Sequence, residues 1–163
     1  MSFQNSVCFS EPCFSQNDVA VRFHQDVIDL QPKVVVILAG TNDIAGNTGP
    51  STLKMIEDNI AAMTEIAMAH KIKVVLISVL PVYEYGWAKH IKPIEQISAL
   101  NKWLKDYAKE KKAEYVDCYT PMLDSRKGLK AEYSNDGVHP TVDGYKVMEP
   151  LVVAAINKAL KKK

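Results

Sequence analysis

The sequence predicts a single α/β domain built on a parallel sheet with helices on both faces. Short apolar segments with strand character alternate with segments of helical periodicity, and the breaks between them are brief. The chain has 163 residues, of which 47% are hydrophobic and 24% charged, as in a globular domain with its own core. We expect residues 1–163 to form one domain, in which residues 1–15 are an atypical N-terminal segment.

Four segments carry helical periodicity. The second can be capped by Ser51 or Thr52 and the last by Thr141, while Pro93 suits the first turn of the third. The predicted inner stripes are Val19, Phe23, Val27 and Leu30; Leu53, Ile56, Ile60, Met63 and Ala67; Ile94, Ile97, Leu100, Leu104 and Tyr107; and Tyr145, Met148, Val152, Ile156 and Leu160.

Strands are predicted at Val34–Leu38 and residues 74–79, which are apolar runs rich in β-branched residues, and more briefly at residues 114–119. Such runs are typical of strands that are covered on both faces. In open parallel sheets the functional loops lie at the carboxyl ends of the strands. We therefore expect the first two strands to be neighbours and the site to lie beyond their carboxyl ends.

Charge and hydropathy exclude several classes of protein. The 20 basic and 19 acidic residues leave a net charge of +1, which disfavours an electrostatic nucleic-acid binder. The longest apolar runs, residues 34–39 and 151–156, are much shorter than the roughly 20 residues of a membrane helix. Residues 1–21 contain no Lys or Arg, so no signal peptide is visible, and the chain as written is expected to be cytoplasmic. Secretion of a longer form is the alternative.

The three cysteines, Cys8, Cys13 and Cys118, have neither zinc-site nor redox-motif spacing. The cysteines therefore predict no metal site. The sequence also predicts no nucleic-acid or membrane partner.

A polar segment follows the first strong strand directly. Gly40 permits close approach of the backbone, and the side-chain amide of Asn42 is able to donate a hydrogen bond to a developing oxyanion. The alternative interpretation is a tight turn in which Asn42 and Asp43 cap backbone amides. Spacing alone does not separate the two.

A second polar segment precedes the last helix. Asp136 stands three residues before His139, where its carboxylate can accept from Nδ1 and leave Nε2 to act as a general base. Two other interpretations remain open at this point, a capping or core histidine and a pair of metal ligands. The metal interpretation lacks a supporting cluster of His or Cys.

Together these segments resemble the SGNH, or GDSL-type, hydrolases over residues 19–163. The run of residues 40–43 is similar to the third block of that family, and residues 136–140 with Gly144 and Tyr145 are similar to its fifth. Arg22-Phe23 followed by Asp26-Val27 resembles the bacterial branch related to platelet-activating-factor acetylhydrolase.

The resemblance implies a flavodoxin-like three-layer sandwich that hydrolyses short acyl or acetyl esters through a serine nucleophile. It implies His139 as general base, Asp136 as the residue that orients it, and Asn42 with Gly40 in the oxyanion hole. Trp87 and Tyr83, in an aromatic loop after Pro81, are candidates for substrate binding. A small-molecule ester is the expected partner, and no metal or organic cofactor is expected.

The N-terminal segment departs from the family pattern. The family's Gly-Asp-Ser block occurs nowhere in the chain, and the first glycine is Gly40, so the second-block glycine is also absent. The fold is therefore expected to be N-terminally truncated relative to the family. Ser15, with Ser10 as an alternative, is the candidate nucleophile, and Cys13 is the thiol alternative.

Loss of the first strand would leave the Val34–Leu38 edge unpaired. Ser6–Ser10 is one candidate to cover it, and a second copy of the chain in a homodimer is the preferred one. If the nucleophile is absent, the rival hypothesis is a non-catalytic protein that keeps the fold and binds a ligand or serves a structural role as a dimer.

Overall fold

The computed structural model describes residues 6–10, by their backbone, together with residues 22–47 and 49–162. The candidate residues Cys13 and Ser15 and the start of the first predicted helix lie outside the described residues. All statements on the fold below concern the described part.

Four parallel strands form one sheet in the order β1-β2-β3-β4. They are β1 (Ser6–Ser10), β2 (Val34–Leu38), β3 (Lys73–Ile77) and β4 (Glu114–Val116). The pairing of β2 with β3 confirms that the two strongest predicted strands are neighbours. The predicted α/β class with a parallel sheet is confirmed.

Five α-helices accompany the described strands. They are α1 (Thr41–Ile44), α2 (Leu53–Ala69), α3 (Pro93–Lys111), α4 (Tyr119–Met122) and α5 (Val142–Lys161). The hydroxyls of Thr52 and Thr141 cap α2 and α5, and Pro93 opens α3, as their sequence signals indicate. A π-helical segment, His24–Ile28, stands where the first helix was expected.

The sheet separates two hydrophobic clusters, because successive strand side chains point to opposite faces. Val35, Ile37, Val74 and Leu76 pack with α2, α3 and the π-helical segment on one face. Val34, Val36, Val75 and Ile77 pack with α5 on the other. The result is a three-layer sandwich.

Three predicted inner-stripe residues are exposed instead of buried. Leu30 is 62% exposed because the π-helical segment ends at Ile28, and Leu160 is 46% exposed in the last turn of α5. Tyr145 is 58% exposed and lines a cleft beyond the sheet. Helical spacing marks an apolar stripe, but it does not say where along the helix the packed partner ends.

The edge of β2 is covered by this same chain. β1 pairs with β2 in parallel over its whole length, from Ser6 opposite Val34 to Ser10 opposite Leu38. The argument that an unpaired β2 edge requires a homodimer was therefore wrong, and the alternative, pairing by Ser6–Ser10, is what the structure has. The homodimer itself stays a prediction.

Candidate active site

The first part of the site lies just beyond the carboxyl end of β2. Gly40 has φ +112°, a left-handed conformation that favours glycine, and this turn redirects the chain into α1. An added Cβ at Gly40 would come within 2.8 Å of Leu100 on α3, so the turn also rests closely on the helix behind it. These two constraints place Asn42 in the first turn of α1, at the rim of the sheet.

The side chain of Asn42 has one defined partner among the described residues. Its Oδ1 accepts a hydrogen bond from Nδ2 of Asn47 at 3.0 Å, and its backbone carbonyl accepts from the Asn47 amide at 3.0 Å. Nδ2 of Asn47 is thus a donor to Asn42, while Oδ1 of Asn47 accepts from the indole nitrogen of Trp87 at 2.8 Å. The Asn47 contact therefore uses Oδ1 of Asn42, and the Nδ2 group of Asn42 takes no part in it.

The second part of the site is the turn before α5, which is held by the carboxylate of Asp136. Its Oδ1 accepts from the backbone amides of Val138 and His139 at 2.9 and 2.8 Å, and Oδ2 lies 2.6 Å from Nδ1 of His139. The buried hydroxyl of Ser134 accepts from the Gly137 amide at 2.9 Å and lies within 3.1 Å of Oδ1. Asp136 therefore holds both the backbone and the ring of His139.

The pKa of Asp136 lies well below its usual range. Partial burial acts to raise it, but the hydrogen bonds from the His139 ring, the His139 and Val138 amides and Ser134 outweigh that effect. The carboxylate is therefore ionised at every pH near neutrality. An ionised acceptor on Nδ1 keeps the proton on that nitrogen and leaves Nε2 as the basic atom.

The two parts meet at a small cleft. Its lining residues are Leu38, Ala39, Thr41, Asn42, Val79, Leu80, Val138, His139, Pro140 and Tyr145, and its volume is about 140 Å³. The prediction that Asn42 and His139 lie on the same rim is confirmed. An amide donor and an Asp-supported histidine beside one apolar cleft can serve acyl transfer as oxyanion donor and general base, and these two roles stay predictions.

The aromatic loop, residues 83–87, lies beside this cleft, and its three aromatic rings are placed differently. The ring of Trp87 stacks on His139, with centroids 6.5 Å apart and planes 24° from parallel. Tyr83 is 46% exposed and faces the guanidinium of Arg126 at 5.3 Å. Neither Trp87 nor Tyr83 is among the residues that line the cleft itself. Tyr85 is fully buried, and its hydroxyl bonds to the Thr41 carbonyl at 3.1 Å, so it supports α1 from beneath.

Of the candidate nucleophiles, the structure describes only the backbone of Ser10. The backbone of Ser10 ends β1 opposite Leu38, which puts it at the same carboxyl edge of the sheet as Gly40. Cys118 is fully buried and does not line the cleft, and burial raises the pKa of its thiol to about 12, so it is no alternative. No cluster of three or more His, Cys, Asp or Glu suited to a metal ion occurs within residues 22–47 and 49–162.

Sequence reasoning missed Asn47 and Ser134. Asn47 stands five residues after Asn42, and Ser134 two before Asp136. Each makes a side-chain hydrogen bond to a motif residue without belonging to a motif itself. Their roles are therefore visible only in the hydrogen bonds of the folded loops. Turn-forming polar residues are too common in loops to be selected by type alone.

A larger cavity of about 650 Å³ lies at the opposite end of the sheet, where β3 and β4 begin. Two of its lysines, Lys111 and Lys162, pair with Glu65 and Glu114. It holds none of the predicted site residues. In the described part of the chain no helix is long and apolar enough to cross a membrane.

Comparison with known proteins agrees with this fold. A model of the GDSL-like Lipase/Acylhydrolase family matches residues 10–147. A GDSL-like lipase from Bacteroides thetaiotaomicron is 46% identical, with a TM-score of 0.86 over 89% of this chain and 72% of that one. An acetylxylan esterase from Geobacillus stearothermophilus shares the fold at 20% identity, with a TM-score of 0.70 over 87% of this chain and 67% of that one.

Among curated proteins, the uncharacterized lipoprotein YqeF of Bacillus subtilis is 37% identical over 76 residues, which are 45% of this chain. The chain spans about a third of that relative, since the match covers 31% of it. The parallel α/β sandwich and these matches place the chain in the SGNH class of hydrolase folds. Within that class, the chain belongs to the GDSL-like lipase/acylhydrolase family.

Proposed function

We propose that the protein hydrolyses carboxyl esters of short acyl groups, with His139 as the general base. The observation that carries the proposal is the 2.6 Å contact between Asp136 and Nδ1 of His139 beside the cleft that Asn42 lines. Family membership supports ester hydrolysis as the reaction type. Trp87 is proposed to bind substrate because its ring borders His139, and Tyr83 to contribute at the outer part of the same loop.

The reaction divides between the two parts of the site. His139 Nε2 takes the proton of the nucleophile as the nucleophile's oxygen or sulfur adds to the ester carbonyl, and the electron pair of the C=O moves to its oxygen. The Asn42 amide donates to that oxyanion. Its collapse breaks the ester C–O bond, and the leaving alkoxide takes the proton from His139. Water then repeats the sequence and releases the carboxylic acid.

The size and polarity of the cleft favour a short acyl group. Its volume of about 140 Å³ is below the roughly 300 to 1,000 Å³ of sites for drug-sized ligands. Leu38, Val79, Leu80 and Val138 give it apolar walls that suit a methyl or short alkyl chain. A longer acyl chain would have to leave the cleft past the exposed ring of Tyr145.

Three residues compete for the role of nucleophile, and water is a fourth possibility. Ser10 has support from its backbone position opposite Leu38, while Ser15 and Cys13 lie outside the described residues. A fluorophosphonate probe followed by mass spectrometry tests this directly, because it labels an activated serine at an identifiable residue. Labelling of Ser10 or Ser15 that disappears in His139→Ala would support the proposal.

Turnover of p-nitrophenyl acetate by the unsubstituted chain and by Ser10→Ala, Ser15→Ala and Cys13→Ala completes the test. Loss of activity in one variant identifies that nucleophile. Full activity in all three, together with its loss in His139→Ala, identifies water activated by His139. Equal rates in the unsubstituted chain and His139→Ala would contradict the proposed function.

A further inference from the structure

The orientation of the Asn42 amide follows from a chain of hydrogen bonds that begins at Trp87. The indole N–H is only a donor, so the atom of Asn47 that meets it at 2.8 Å must be the acceptor Oδ1. The other end of the Asn47 amide is then Nδ2, a donor, and it meets Asn42 at 3.0 Å. The Asn42 atom at that contact must therefore be Oδ1.

We propose that Asn47 and Trp87 are positioning residues that set the orientation of the Asn42 amide and so present its NH₂ group to the oxyanion. An amide side chain carries a donor and an acceptor of nearly the same shape, and in the reverse orientation Asn42 would offer an oxygen to a developing negative charge. No other partner of the Asn42 side chain among the described residues decides between the two orientations. The inference rests on the proposed function for its catalytic consequence.

The hydrogen bonds from Trp87 to Asn47 and from Asn47 to Asn42 form a relay that also connects the two parts of the site. Trp87, which begins the relay, also stacks on His139 with its centroid 6.5 Å away. Tyr85 lies 5.4 Å from Trp87 and bonds to Thr41 in α1, so the aromatic loop is fastened to the helix that carries Asn42. The loop that carries Trp87 thus contacts the histidine and, through Asn47, sets the orientation of the oxyanion donor.

Substitution of Asn47 by aspartate keeps the contact with Asn42 but reverses the direction of the hydrogen bond between them. The carboxylate of Asn47→Asp still accepts from Trp87, but it can only accept from Asn42, so the Asn42 amide must turn its NH₂ group away from the oxyanion. We expect kcat on p-nitrophenyl acetate to fall about a hundredfold, close to the loss in Asn42→Ala, with KM changed by less than about threefold. Asn47→Ala frees the amide to adopt both orientations, and a smaller, few-fold fall in kcat is expected.

A double-mutant cycle removes the effect of the added charge. If Asn47→Asp acts through Asn42, it has no further effect on kcat in the Asn42→Ala background. If it acts by charge alone, it lowers kcat equally in both backgrounds, and the inference is overturned. Asn157→Asp, on the exposed face of α5 near its far end, is the matched control for a neutral-to-acidic change and should leave kcat unaltered.

A second readout does not depend on activity. The chain contains only two tryptophans, so its NMR spectrum has two indole N–H signals, and Trp87→Phe with Trp103→Phe assigns them. The Trp87 signal should shift in Asn47→Ala, and the Asn42 NH₂ signals should shift in Trp87→Phe but not in Trp103→Phe. An unshifted Trp87 signal in Asn47→Ala would overturn the inference. Absence of any hydrolysis by the unsubstituted chain would count against the proposed function alone, since the NMR result still decides the relay.

Discussion

At the scale of single residues, Asp136 and His139 are expected to act as one unit. Asp136→Asn keeps an oxygen for the backbone amides but lets an amide face Nδ1, which permits the wrong tautomer of His139. We expect a loss of kcat of about 10²- to 10⁴-fold, and a similar loss in His139→Ala. Steady-state turnover of p-nitrophenyl acetate measures both.

The exposed Asp106 offers a matched control for this pair of substitutions. It pairs with Lys102 on α3, away from the cleft, so Asp106→Asn should leave turnover unaltered. The melting temperature of each variant separates loss of chemistry from loss of fold. A fully active Asp136→Asn would show that its carboxylate only shapes the turn.

The motifs predicted these residues because their chemistry is local in sequence. Asp136 and His139 are three residues apart, so one turn brings them together whatever the rest of the fold does. The contact of Trp87 with Asn47 spans 40 residues and depends on how two loops dock. No pattern along the chain indicates such a contact, which explains why the candidate base was predicted and the orienting relay was not.

At the scale of elements, the start of α1 depends on Gly40. Gly40→Ala forces a Cβ into a left-handed backbone conformation and to within 2.8 Å of Leu100 on α3. We expect a fall in unfolding free energy of about 1 to 3 kcal/mol, together with a lower kcat, because Asn42 follows two residues later. Chemical denaturation and turnover measure the two effects.

Gly49 provides the control for backbone strain. Its φ of +98° is similarly unfavourable for alanine, but an added Cβ there meets nothing within 4 Å. Gly49→Ala should therefore destabilise the protein less than Gly40→Ala. Equal losses would mean that packing against α3 contributes nothing at Gly40.

The joining of α5 to β4 depends on one buried carboxylate. Glu114 is 5% exposed and pairs with Lys158 at 2.7 Å and with Lys162. Burial acts to raise its pKa, but the hydrogen bonds and charges of the two lysines lower it below its ordinary value of about 4.5. Since the folded state lowers this pKa, the pair stabilises the fold above about pH 4.5, and the contribution is lost as the pH falls through the folded-state value.

Glu114→Gln should accordingly lower the unfolding free energy by about 1.5 to 3 kcal/mol at pH 7, the range for hydrogen bonds to charged groups. The difference from the unsubstituted chain should shrink below pH 4.5. Urea unfolding at pH 7, 5 and 3.5 measures it. Glu110→Gln, at an exposed pair with Lys111, should change stability by less than about 1 kcal/mol. A difference that stays constant with pH would exclude the ionic contribution.

At the scale of the whole molecule, the periodicity of the chain was enough to predict the layers. β2 and β3 are apolar on both faces, and a parallel sheet with helices on both sides buries such strands. What covers the β2 edge was not predictable in the same way. Ser6–Ser10 is short and only weakly patterned, so its pairing with β2 depends on the shape of the completed sheet.

That pairing moves the open edge of the described sheet from β2 to β1. The outer side of β1 faces no strand among the described residues, and an unpaired parallel edge offers backbone donors and acceptors to a second chain. We propose that two copies associate there about a two-fold axis, which would run the two β1 strands antiparallel.

The association should appear as a rise from monomer to dimer mass as concentration increases in sedimentation velocity. Amide exchange within residues 6–10 should slow over the same range of concentration, because new hydrogen bonds would protect the outer side of β1. Exchange in β3 should stay unchanged, because β3 is enclosed by β2 and β4. A monomer mass at the highest concentration, with exchange in residues 6–10 independent of concentration, would show that the β1 edge is tolerated without a partner.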